Sequence, residues 1–260
     1  MCQKKANMKA MIFAAGLGTR LKPLTDTLPK ALVPVCGVPL IEHVCRKLKS
    51  YGIDEAVVNV HHFADKIEQW VASQDIMNIS ISDERTRLLE TGGAVLNARR
   101  YLEGCGRFLI HNVDILSDLD ISWFASQTKP GALATLLVSR RNSSRQLLFD
   151  PQSMTLVGWR NCLTGQVRSP YHDLDPEQCL SLAFSGIHIM SDSILDVMEK
   201  YAQTHGLRIT DESPRFSVID FYLWACAHHD IYGVCADDLR LIDVGKLDTL
   251  DLAEDYVSGR

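Results

Sequence analysis

The chain lacks most of the features that would place it quickly, and each absence excludes something. No apolar run approaches the ~20 residues that a membrane helix requires, so no membrane partner is expected. Charge of neither sign dominates: 27 Lys and Arg stand against 32 Asp and Glu, a net of −5. A general nucleic-acid binder would usually carry a basic face, so no nucleic-acid partner is expected. The eight cysteines, at positions 2, 36, 45, 105, 162, 179, 226 and 235, form no CxxC pair. Their spacing matches neither a zinc site nor a disulfide framework, which points to a reducing, cytoplasmic setting. Met1-Cys2-Gln3-Lys4-Lys5 is basic, but Met8–Ala15 is too short for the apolar core of a signal peptide. Internal repeats and low-complexity tracts are also missing; without hexapeptide repeats, no left-handed β-helix is expected.

What is present is ordinary in bulk and ordered in pattern. Hydrophobic residues make up 46% and charged residues 23% of 260 residues, enough for a sizeable core. Strands are predicted at Lys9–Ala14, Ala56–Val60, Ile79–Ile81 and Phe108–Ile110. Between them, Ile41, Val44, Cys45 and Leu48 fall at i, i+3, i+4, i+7, the stripe of an amphipathic helix. Phe63, Ile67, Trp70 and Val71 mark a second helix, and Thr91-Gly92-Gly93 opens a third, with Thr91 as its N-cap. After about residue 130, strands dominate (Ala132–Val138, Leu147–Phe149, Thr155–Trp159, Leu182–Met190), followed by helices near Ile194–Tyr201 and Val218–Ala227. Short strands at Ile231–Val234 and Leu241-Ile242 precede a final helix from Lys246, and 161–178 has no clear periodicity. Aliphatic strands alternating with helices predict an α/β fold, a Rossmann-like three-layer sandwich around a mixed, mostly parallel sheet.

The most constrained stretch is 14–35, AAGLGTRLKPLTDTLPKALVPV. A strand delivers Gly16, Gly18, Thr19 and Arg20 to one loop, and Lys30 follows ten residues later. Glycine removes the Cβ that would hold a phosphate oxygen away from backbone N–H groups, and two fixed cations suit a triphosphate. This is no P-loop, because no GKS or GKT follows the glycines. A dinucleotide fingerprint is disfavoured by Leu21 at its final position and by Pro23 where the helix should run. Polar loops also follow other predicted strands, at Asn112-Val113-Asp114 and Asp243-Val244-Gly245. Were the three strands neighbours, these loops would meet at the carboxyl ends of the sheet.

The run GLGTRLKPLTDTLPKALVPVCGVPLIEHV resembles the signature of the sugar-1-phosphate nucleotidylyltransferases, within the nucleoside-triphosphate transferase superfamily. The likeness is strong over 8–60 and looser at Glu90-Thr91-Gly92-Gly93, Asn112-Val113-Asp114, Phe184-Ser185-Gly186 and Asp243-Val244-Gly245. It implies an Mg²⁺-dependent enzyme whose substrates are an NTP and a sugar 1-phosphate. On that resemblance Ala14, Ala15, Gly16, Gly18 and Thr19 cradle the nucleotide, Arg20 and Lys30 are catalytic, and Glu90, Gly92 and Gly93 lie near the base. Asn112, Ser185 and Gly186 would meet the sugar, and Asp114 and Asp243 would hold the metal. No stretch reads as a linker that would split domains, so a single nucleotidyltransferase domain over 1–260 is expected, with a nucleotide-binding half at about 8–130 and a sugar-binding half at about 131–260.

Within the family, Ala14-Ala15-Gly16, Leu89–Gly93, Phe184–Gly186 and the short chain are most similar to members that transfer a uridylyl group to N-acetylmuramate 1-phosphate. The sequence departs from the family in two places. Val113 stands where glycine is frequent, which demands extended backbone there. The Glu-Lys-Pro-like sugar-phosphate motif is absent; Leu156–Arg160 occupies that region, making Arg160 a candidate substitute for the lysine. Alternatives are guanylyl or cytidylyl transfer to mannose, heptose or another phosphorylated acceptor, and a catalytically silent nucleotide-binding regulatory subunit. Base, sugar and oligomeric state are left open by the sequence.

Overall fold

Strands that are apolar on both faces need cover on both sides, and the helices supply it. The computed structural model describes residues 8–207 and 213–259; Cys2, Lys4 and Lys5 lie outside them. The strands are β1 (Lys9–Phe13), β2 (Pro34–Val35), β3 (Val38–Pro39), β4 (Glu55–Val60), β5 (Asn78–Asp83), β6 (Arg107–Asn112) and β7 (Ile115–Ser117). They continue with β8 (Ala134–Ser139), β9 (Arg145–Phe149), β10 (Leu156–Asn161), β11 (Val167–Arg168), β12 (Leu180–Ser191), β13 (Ile231–Cys235) and β14 (Leu241–Asp243). The helices are α1 (Leu40–Ser50), α2 (Ala64–Ser73), α3 (Glu90–Asn97), α4 (Arg99–Leu102), α5 (Ile121–Ser126), α6 (Ile194–Thr204), α7 (Val218–Ala225) and α8 (Leu250–Ser258).

The main sheet runs β11-β10-β9-β12-β6-β1-β4-β5, with β8 pairing β12 and β13. From β5 to β6 the strands are parallel. The long β12 runs antiparallel to β6, β8 and β9, which makes the sheet mixed, as expected. Period-2 alternation divides the core: Ala10 and Ile12 of β1 face one side, Met11 the other. The first side packs against α1, α2, α5 and α8, the second against α3, α4, α6 and α7. Both clusters draw on residues from either side of position 130. The α1 stripe buries Ile41, Val44, Cys45 and Leu48, as its periodicity predicts. Among the described residues no helix is long and apolar enough to cross a membrane.

The glycine loop leads into 3₁₀ turns at Thr19–Leu21 and Leu24–Asp26, and no α-helix follows it directly, in keeping with Pro23. Two local outcomes differ from the sequence reading. The aperiodic 161–178 stretch contains β11, which folds back on β10 as a hairpin. The last helix begins at Leu250, after a 3₁₀ turn at Leu247–Thr249.

Two histidines in the central strands set an acid limit. His111 and His188 are each 1% exposed. Burial pushes them down to about 4 and about 3 respectively, so both are neutral in the fold. His188 Nδ1 lies 2.5 Å from Tyr222 Oη. The unfolded chain takes up these protons near pH 6.5, so stability present above that pH is lost as pH falls toward about 4. His188→Gln is expected to flatten the decline by up to about 1.4 kcal/mol per pH unit, measured by urea unfolding between pH 7 and pH 5. An unaltered slope would mean that His188 does not titrate on unfolding.

Candidate active site

The first glycine loop leaves β1 at the carboxyl ends of the parallel strands and borders a cavity of about 390 Å³. Ala14, Ala15, Gly16 and Lys30 line it, together with Asn112, Val113 and Asp114 from the end of β6. β1 and β6 are adjacent, with Phe13 opposite Asn112, which is why these two loops face each other. A β-carbon on Gly16 would meet nothing within 4 Å, so this position opens onto free space. Gly18 answers a different need. Its φ is +62°, and a β-carbon there would stand 2.9 Å from Thr25 Cγ2, so only glycine fits. Thr25 Oγ1 donates to the Gly18 carbonyl (2.9 Å), pinning the turn that carries the exposed Thr19 and Arg20.

Asp243 arrives by a route the sequence did not show. β14 is not a neighbour of β1 in the main sheet; it pairs with β7, placing Asp243 opposite Ile115. Val244 N donates to the Asp114 carbonyl (2.8 Å), so the two aspartates sit side by side. Lys30 Nζ donates to Asp114 Oδ2 in an ion pair whose side chains are 10% and 18% exposed. Arg20 reaches the same place: a β-carbon on Gly245 would stand 2.7 Å from Asp243 Oδ1 and 2.8 Å from Arg20 Nη2. Burial and the neighbouring Asp114 push the Asp243 carboxyl above its usual range, while Lys30, Arg20 and Arg141 oppose that rise. Two carboxylates and two cations, drawn from positions 20 to 243, thus come together, with Lys30 and Asp114 also lining the cavity.

The cavity wall includes residues absent from the sequence reading. Asn59, 4% exposed, stands on the carboxyl half of β4 beside β1. Its Oδ1 accepts from Ala14 N (2.8 Å), and its Nδ2 donates to Glu84 Oε1 (2.9 Å). Leu89 N donates to Glu84 Oε2 (3.1 Å), so both Glu84 oxygens act as acceptors. Burial raises the Glu84 carboxyl, and these two N–H donors hold it down. The network joins the start of the glycine loop to the segment before α3. Its sequence signal was Asn59 itself, a polar residue inside the apolar run of β4.

At α3 the structure corrects one expectation and relocates another. Thr91 is not the N-cap: the helix begins at Glu90, and Thr91 Oγ1 accepts from Val218 N (2.9 Å). Gly92 and Gly93 face protein. Their β-carbons would stand 2.4 Å from the Phe216 ring and 2.2 Å from the Pro214 carbonyl oxygen, and both amides donate to the Phe216 carbonyl. Glu90 does border the cavity, at a φ of +61°, and accepts from Arg215 Nε (3.0 Å). Gly93→Ala is therefore expected to destabilise the fold by about 1–3 kcal/mol through overpacking, read as a lower urea midpoint. A stable variant with only a raised KM for nucleotide would instead place Gly93 against the ligand.

The residues expected at the sugar gather on β12. The register with β8 shifts between Phe184 and His188, a bulge that contains Ser185 and Gly186. Gly186 has φ +74°, and a β-carbon there would stand 2.5 Å from Asn112 Nδ2. Ser185 is 1% exposed, and its Oγ has no hydrogen-bond partner. Arg160 is not drawn in: its Nη1 pairs with Glu177 (3.1 Å), in the 3₁₀ turn Pro176–Gln178 that precedes β12. The seven described cysteines are unpaired.

Residues 9–147 match the family model described as nucleotidyl transferase. The chain is 45% identical over 109 residues to the N-acetylmuramate alpha-1-phosphate uridylyltransferase of Caulobacter vibrioides, covering 40% of this chain and 45% of the relative. The enzyme of that name from Neisseria meningitidis serogroup B is 44% identical over 118 residues, 44% of this chain and 50% of the relative. The chain thus aligns with about half the length of these curated relatives. Among solved structures, HddC from Yersinia pseudotuberculosis superposes with a TM-score of 0.73 at 20% identity, covering 96% of this chain and 99% of that one. The inositol-1-phosphate CTP transferase from T. maritima gives 0.74 at 15% identity, covering 98% of each. At these identities the structures establish the shared fold.

Proposed function

The chain belongs to the nucleotidyl transferase family, and from that premise we propose that it transfers a uridylyl group from UTP to N-acetylmuramate 1-phosphate, releasing pyrophosphate. The observation that carries the reading is the meeting of Arg20, Lys30, Asp114 and Asp243 beside the glycine-loop cavity, which Lys30 and Asp114 line. The choice of uridylyl and N-acetylmuramyl groups leans on the names of the two bacterial relatives.

The chemistry asks for positioning and charge neutralisation. A sugar-phosphate oxygen attacks the α-phosphorus of the nucleotide, and the bond to the β-phosphate oxygen breaks. The attacking oxygen is already anionic near neutral pH, so no general base is required. Two anions must instead be brought together in line. In our reading the open space at Gly16 admits the phosphates, Arg20 holds the departing pyrophosphate, and Lys30 turns from Asp114 toward the α-phosphate. Asp114 and Asp243 would hold Mg²⁺. The donor set fits that ion: two hard carboxylates leave positions for water and phosphate oxygens. When bound, the ion would neutralise phosphate charge in the transition state.

The test incubates the protein with Mg²⁺, each of the four NTPs and a panel of sugar 1-phosphates, and measures pyrophosphate. UTP with N-acetylmuramate 1-phosphate should give the highest kcat/KM, and EDTA should stop turnover. Preference for GTP or CTP would overturn the uridylyl assignment. No pyrophosphate with any pair would favour a silent nucleotide-binding subunit.

A further inference from the structure

Arginines 140 and 141 open the loop between β8 and β9, and they part company at once. Arg140 is spent on the fold: its guanidinium pairs with Asp237, and its amide donates to Asp237 Oδ1 (3.2 Å). That anchor fixes the root of the loop. Arg141 turns to β12, where Nη2 donates to the Phe184 carbonyl (2.7 Å) at the start of the bulge. Among the described residues no carboxylate lies within ion-pair distance of it.

Its surroundings combine access to solvent with nearby packed protein. The residue is solvent-accessible, yet surrounding protein lowers its pKa, and Asp243 is near enough to oppose that shift. The same bulge leaves Ser185 Oγ buried without a partner and seats Gly186 against the Asn112 side chain. Asn112 in turn borders the cavity beside Asp114. Arg141 therefore stands near the proposed metal ligands, on the β12 side.

We propose that Arg141 is the acceptor-binding cation of this site, holding the phosphate of the sugar 1-phosphate between the β12 bulge and Asp243. This rests on the nucleotidyl-transfer reading above and deepens it. The electrostatic reason is that Lys30 and Arg20 already face Asp114 and Asp243 and, once nucleotide binds, a triphosphate. A second phosphate, carrying roughly −1.5 to −2 at pH 7 as phosphate monoesters do, needs a cation of its own. Arginine suits the task because its planar fork can keep one N–H on the Phe184 carbonyl while presenting others to phosphate oxygens.

Initial rates of Arg141→Gln and Arg141→Lys, with UTP and acceptor varied separately, test the assignment. Acceptors are N-acetylmuramate 1-phosphate and N-acetylglucosamine 1-phosphate, which lacks the carboxylate of the former. Arg141→Gln is expected to raise the acceptor KM at least tenfold for both sugars while the UTP KM changes less than twofold, and Arg141→Lys should recover part of the loss. Both loops stay anchored through Arg140 and Asp237, so the variants keep the fold. An unchanged acceptor KM, or equal rises for acceptor and UTP, would overturn the assignment and leave nucleotidyl transfer standing. A loss confined to N-acetylmuramate 1-phosphate would move Arg141 from the phosphate to the carboxylate and overturn it too. Wild-type protein that releases no pyrophosphate with any pair would remove both readings together.

Discussion

Asp114→Asn is expected to lower kcat by about 10³, at the upper end of what one preorganised electrostatic contact supplies. Asparagine keeps the shape of the side chain, and its Oδ1 still accepts from Lys30 Nζ, so the turn after β6 should persist. Removed is one of two adjacent negative charges that would bind Mg²⁺. Lys30 is only 8% exposed and loses its formal partner, so a small decrease in stability accompanies the change. Pyrophosphate release and the urea midpoint, measured on the same preparation, separate the two effects. Undiminished turnover would take Asp114 out of the metal site. Turnover lost in proportion to the folded fraction would reduce its role to stability.

Lys30→Met is expected to lower kcat by about 10² or more while the KM for nucleotide changes only a few-fold. Methionine keeps the apolar stem beside Gly18 and withdraws the charge. An interaction that strengthens as charge develops at the α-phosphate appears in kcat, whereas one shared equally by ground and transition states appears in KM. A raised KM at constant kcat would contradict the proposed role. Lys30 and Asp114 are ion-paired, so the double variant Lys30→Met with Asp114→Asn should lose less than the sum of the single losses. Full additivity would mean that the two act independently.

Much of the fold was legible because it is local. The α1 stripe at Ile41, Val44, Cys45 and Leu48 and the apolar runs of β1, β4 and β6 carry their period in consecutive residues. The glycine loop was legible for a similar reason, with Gly16, Gly18, Arg20 and Lys30 falling within fifteen positions. The roles of Thr91, Gly92 and Gly93 were not, because Val218, Pro214 and Phe216, more than a hundred residues away, decide them. Glu84 and Arg141 gave no local signal. A charged residue at a strand end looks like a solvated one until its partners, Asn59 and Leu89 in one case and the Phe184 carbonyl in the other, are in place.

The amino-acid sequence alone determined the alternation of strands and helices and the chemistry of the first loop, since backbone freedom at glycine and the periodicity of burial are properties of neighbouring residues. Only the tertiary structure decided that Asp243 joins Asp114. The main sheet does not bring their loops together as the sequence reading supposed. A two-stranded ribbon of β14 on β7 does so, and strand pairing across more than a hundred residues is fixed by packing of the whole core.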